Sequence, residues 1–134
     1  MPKKYLSREQ AQRLLPAIQK KIRTLRVLQE AIDLLGEMEV KFDDIVIDYH
    51  YNLKIEKEYF RLQHEFYKVL EQLEDAGCLL KDLDQGLVDF VHHHEGQDVF
   101  LCWKEGEKEI RFWHDVEEGY EERKPILYGE RLEG

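Results

Sequence analysis

The feature that most constrains this chain is a change of apolar period at Gly77. Upstream of it hydrophobic residues recur every three to four positions; downstream they alternate with polar ones, as a half-buried strand requires. A chain patterned this way builds helices first and an antiparallel sheet second, an α+β arrangement. The expected architecture is a long N-terminal antiparallel helical hairpin followed by a β-meander of three to four strands. At 134 residues the chain reads as a single domain (1–134), with a hairpin at 1–76, a meander at 77–115 and an extended, partly flexible tail at 116–134.

Ser7 and Gln10 have the spacing of a capping box, so the first helix starts there. Leu15, Ile18, Ile22, Leu25, Leu28, Ile32 and Leu35 form its inward stripe, and Gly36 is the expected end. Pro16 lies two turns inside, where a missing N–H and a ring clash predict a kink or a short helix feeding a longer one. The second helix is expected from about 42 to 76, with Ile45, Tyr49, Leu53, Phe60, Tyr67 and Leu70 inward. A second apolar face (Val46, Ile47, Ile55, Leu62, Phe66) then invites another hairpin. Both stripes drift as a period near 3.5 requires, so a supercoiled pair is expected, and a homo-oligomer, a dimer through the helices, with it. Glu56 interrupts the second stripe and calls for a partner: Lys21, Gln29 or a symmetry mate.

A formal net charge of −9 argues against nucleic acid as a partner of the whole molecule. The charge is uneven, however: residues 1–30 hold eight basic side chains against Glu9 and Glu30. The basic arc Arg8, Arg13, Lys20, Arg23 and Arg26 lacks the interleaved aromatics of a single-strand binder. An RNA-associated factor using this helix is kept as a second alternative. No run of 18 apolar residues supplies a membrane span, and the N-terminus lacks the apolar stretch of a signal peptide. A cytoplasmic protein with reduced Cys78 and Cys102 is expected.

Strands are expected at 86–92, 98–104 and 109–114, preceded by an extended run at 78–81. Four-residue turns at 93–96 and 105–108 set Val91 opposite Asp98 and Trp103 opposite Ile110. One face is then uniformly apolar. The other gathers Asp89, Cys102, Arg111 and Trp113, which with Asp82 from the preceding loop make the candidate binding surface: Arg111 to hold an anion, Asp89 to fix it, or a Cys102 thiolate favoured by the Arg. An ordinary Asp–Arg cross-strand pair explains the same residues. Cys102, Glu107 and His114 offer zinc donors, but this register puts Cys102 and His114 on opposite faces, so no metal and no cofactor is assigned. His92, His93 and His94 read as a solvated turn. No P-loop, dinucleotide fingerprint or nucleophile elbow is present, and no catalytic residue is assigned.

Gly86–Phe90 (GLVDF), Leu101–Trp103 (LCW), Gly106-Glu107, Trp113-His114, and Gly119 with Arg123 form a spaced set, joined upstream by Leu14–Pro16 and Lys81-Asp82. In these elements the chain resembles an uncharacterised bacterial family known only as a domain of unknown function. The resemblance implies a helical hairpin with a C-terminal antiparallel sheet; it brings no activity, cofactor or catalytic residue. The chain departs from it at Val91-His92-His93-His94, where a Pro-Ser-Arg-Arg-like tip is expected. The functional expectation is a non-enzymatic, homo-oligomeric interaction or scaffold domain with a protein partner. The alternative is a small-molecule or metal-dependent enzyme working on the polar, aromatic sheet face.

Overall fold

The computed structural model describes residues 4–42 and 49–126, the side chains of 38–42 and 49–52 excepted. Helix α1 spans Arg8–Phe42 and α2 spans Tyr49–Asp75. The capping box forms as expected: Gln10 N–H donates to Ser7 Oγ (3.1 Å), and Ser7 N–H donates to Gln10 Oε1 (2.8 Å). Helix α1 runs as one helix through Pro16 and past Gly36, so a separate short first helix and an end at Gly36 are corrected. Nothing lies within 4 Å of a Cβ placed on Gly36, so no neighbour turns the chain there. Phe42 accordingly belongs to α1, and the second helix starts later than expected. Ile45, Val46 and Ile47 lie outside the described residues.

The α1 stripe faces inward as expected, with Leu15, Ile18, Ile22, Leu25 and Ile32 buried. On α2 the two apolar faces exchange roles. Leu62 and Leu73 are buried, with Phe66, Val69 and Leu70 packed beside the core, whereas Leu53, Phe60 and Tyr67 stand exposed. Apolar residues on both sides leave the helix's rotation open, and packing on α1 and β1 decides it. Lys21 donates to Gln72 and Gln29 to Asp33, so neither pairs with Glu56, which is exposed.

Gly77, at φ 93°, turns the chain into the sheet. Five antiparallel strands follow in sequence order: β1 Cys78–Asp82, β2 Leu87–His94, β3 Gln97–Lys104, β4 Phe112–Asp115 and β5 Lys124–Pro125. The fifth comes from the segment read as an extended, partly flexible tail. The first long hairpin closes on two residues, Glu95 and Gly96, both at positive φ, and not on four. Val91 therefore opposes Phe100 instead of Asp98. That shift is even, so every side chain of β2 and β3 keeps its expected face.

The next connection has the opposite consequence. Cys102 opposes Phe112, not Arg111, an odd shift that turns β4 over. The cause lies in α1: Arg8 Nε donates to the Ile110 carbonyl (2.8 Å), and Ile110 N–H donates to Gln12 Oε1 (2.9 Å). Ile110 is thereby held in the helix-side core and does not pair with β3. Within the connection the Trp103 indole N–H donates to the Glu107 carbonyl (2.9 Å), and Lys104 N–H to Glu107 Oε1 (2.7 Å). The helix-side face of the sheet carries Val88, Phe90, Leu101 and Trp103 against Ile18, Ile22 and Leu25.

Candidate functional site

The outer face of the sheet holds a buried polar group. Asp89 on β2 lies directly opposite Cys102 on β3. His114, brought to this face by the reversal of β4, reaches across β3 to the same carboxylate. Its Nε2 stands 3.1 Å and 3.2 Å from the two Asp89 oxygens, and its Nδ1 stands 2.9 Å from the Asp115 carbonyl oxygen. Asp89, Cys102 and His114 are each no more than 3% exposed. Because a carbonyl oxygen only accepts, Nδ1 carries a hydrogen, and a second proton is shared between Nε2 and the carboxylate. The pair is then neutral overall, the condition under which two ionisable groups tolerate such burial. The Phe100 ring meets the imidazole edge-on at 5.4 Å.

Burial, reinforced by the charge and hydrogen bond of Asp89, pushes the Cys102 thiol up to about 12, against a smaller opposing pull from Arg123. The thiol is thereby favoured in its protonated form, out of solvent. Arg123 follows a short 3-10 turn at Tyr120–Glu122 and is stacked between the Phe112 and Tyr120 rings, 4.1 Å from each centroid. Its Nη1 bonds both carboxylate oxygens of Glu107 at 3.1 and 3.2 Å. This segment, anchored by β5 on β4, covers the outer face beside the trio.

The expected site is thus partly assembled and partly dispersed. Asp89 and Cys102 meet as expected. Arg111 leaves the sheet and is exposed, its Nε donating to Glu109. Trp113 pairs across from Leu101 and packs against the helix-side core. Asp82 accepts from the Gln85 main chain and closes the β1–β2 turn. Glu107 staples its own loop and pairs with Arg123. The expectation that Cys102 and His114 occupy opposite faces is corrected: the donor atoms of Asp89, Cys102 and His114 all lie within 4.8 Å of one another. Of the triple histidine, His92 is buried with Nδ1 2.7 Å from the Leu6 carbonyl oxygen, while His93 lies by Asp98. All three lie on β2 and not in the turn, with His92 buried, His93 exposed and His94 half-buried, so the reading of this stretch as a solvated turn is corrected. The basic arc of α1 is also broken up, because Arg8 reaches Ile110, and Arg26 bonds Glu105 and the carbonyls of Leu83 and Asp84.

A model of the uncharacterised conserved protein family DUF2203 matches residues 4–126. The chain belongs to that family. The match spans hairpin and sheet together, with Asp89, Cys102, His114 and Arg123 inside it. No curated protein and no solved structure matches the chain. Membership in DUF2203 therefore fixes kinship without an activity, and the reading of this member rests on its own geometry. Among the described residues no helix is long and apolar enough to cross a membrane.

Proposed function

We propose that this DUF2203 member is a non-enzymatic, cytoplasmic interaction module that works as a homodimer joined through α2. The observation that carries the reading is the exposed apolar row Leu53, Phe60 and Tyr67, spaced seven apart, with Phe60 and Tyr67 each 64% exposed. Heptad spacing of large apolar side chains is the pattern of a helix that packs on another helix along its length. A second copy fits this row because the row is symmetric about Phe60. An antiparallel two-fold at that residue sets Leu53 against Tyr67 of the other chain and Glu56 beside His64, giving the carboxylate the partner it lacks on α1. The distal part of the hairpin also favours this reading: among the described residues of α1, none beyond Leu25 joins the helix-side sheet core. The cytoplasmic assignment is supported by two buried, unpaired cysteines.

The test is sedimentation velocity on the full chain across a concentration series, for the native protein and for Phe60→Glu. Because Phe60 is exposed within one chain, the charge does not disturb the fold. A native dimer and a monomeric variant with unchanged circular dichroism are expected. A monomeric native protein, or a dimer that survives both Phe60→Glu and Tyr67→Glu, overturns the reading.

A further inference from the structure

We infer that Asp89, Cys102 and His114 form a binding site for one borderline divalent transition-metal ion of the zinc type. Three observations support it, none of which involves the dimer row. First, the donor set is chemically apt: one thiolate, one imidazole and one carboxylate are the ligand types zinc takes, and three protein ligands leave a tetrahedral ion one further position. Second, the donor atoms already converge within 4.8 Å from three neighbouring strands, out of solvent. Third, His114 is oriented as metal-binding histidines are. Its Nδ1–H is held by the Asp115 carbonyl, which fixes the ring and points Nε2 at Asp89 and Cys102.

Charge balance is consistent with the exchange. The metal-free group holds one proton between Asp89 and His114 and one on the Cys102 sulfur. A divalent ion replaces both, so carboxylate, thiolate and neutral imidazole together with the ion remain neutral, and two protons leave to solvent. The neighbouring Arg123 charge is matched by Glu107 in either state. The other cysteine provides an internal control. Cys78 opposes Phe90 and sits in the helix-side core, separated from the site by the sheet.

Cobalt(II) is the probe, added to the untagged full chain under reducing conditions, because a thiolate ligand gives it a charge-transfer absorption and tetrahedral geometry gives intense d–d bands. One cobalt per chain with both features is expected, displaced by zinc, and zinc should raise the melting temperature. The features should vanish in Cys102→Ser and persist in Cys78→Ser and in the double variant His93→Ala/His94→Ala, which removes two imidazoles at the end of β2. If Cys102→Ser fails to fold, Cys102→Ala takes its place. No charge-transfer band in the native protein at stoichiometric cobalt overturns the inference, as does a band that survives loss of Cys102 or disappears with His93 and His94. Dimer formation is read separately by sedimentation, so failure of one proposal is distinguishable from failure of the other.

Discussion

On the helix side of the sheet, Val88, Phe90, Leu101 and Trp103 are packed out of water by hydrocarbon from α1 and α2; on the outer side β2, β3 and β4 bury Asp89, Cys102 and His114. Both faces are closed, yet what holds them differs. The helix side is stabilised by area, at roughly 25 cal/mol per Å² of apolar surface, a non-directional force that tolerates changes of similar volume. The outer side depends on distances: a carboxylate about 3 Å from an imidazole is compensated, and the same carboxylate alone is a buried charge. Single truncations should therefore be costly on both faces, but only the outer face should be rescued by removing both partners.

The largest effect is expected on the helix side. Trp103→Ala deletes the largest fully buried side chain and its bond to Glu107, and urea denaturation should show a loss of about 5 kcal/mol. Next is the outer pair: His114→Ala should lose about 3 to 4 kcal/mol by leaving Asp89 uncompensated. The double change Asp89→Leu/His114→Phe should recover most of that loss. A double variant as unstable as the sum of its two singles would erase the distinction between the faces.

A smaller effect is expected at the seam where α1 meets the sheet. Gly86 sits at φ 64°, and a Cβ there would lie 2.6 Å from Glu105 Cβ, beneath the Arg26 latch. Gly86→Ala should lower stability by about 2 kcal/mol, from left-handed backbone strain and the clash together, in the same denaturation assay.

The smallest effect concerns His92, a buried imidazole on the helix side. Burial first, and then the neighbouring charges of His94 and His93, hold His92 below the ordinary imidazole range, against the raising effect of the Leu6 carbonyl. A histidine depressed in the folded state binds its proton more readily when unfolded. Its stabilising contribution is thus complete above the ordinary value of about 6.5 and is lost as pH falls from there towards the depressed folded value. Between pH 8 and pH 5 the native protein should lose more stability than His92→Gln, whose amide N–H can still reach the Leu6 carbonyl. Equal pH slopes would show that His92 carries no part of the acid sensitivity.

Much of this arrangement was legible in the residues. Ser7 and Gln10 start α1 because their side chains satisfy amides only a turn away, and Leu15 to Ile32 face inward because one apolar stripe on an otherwise polar helix leaves no other choice. The alternation of β2 and β3 survived a wrong turn length because the error was two residues, and pleat parity is insensitive to that. Asp89 and Cys102 share a face in the expected and the observed register for the same reason. His114 enters the sequence reading only as a zinc donor that the expected register sets on the face away from Cys102, and Arg123 is not assigned to the site. His114 depended on a one-residue slip of β4, set by Arg8 and Gln12 about a hundred positions away, and no local pattern encodes a bond between an α1 side chain and the Ile110 main chain. Arg123 reaches the site from a segment whose charge-rich composition resembles a tail, and only its stacking between Phe112 and Tyr120 places it.

Local sequence thus determined what is decided over one or two turns of chain: the period change at Gly77, the capped start of α1, the apolar stripe and the alternation within each strand. Tertiary structure decided what depends on groups far apart in sequence. It set the rotation of α2, which turned Phe60 and Tyr67 outward, and the parity of β4, which placed His114 with Asp89 and Cys102. Short-range hydrogen bonds and periodic burial are written in neighbouring residues, whereas the choice between two nearly equivalent faces rests on small packing and hydrogen-bond differences that exist only once the distant partners have met.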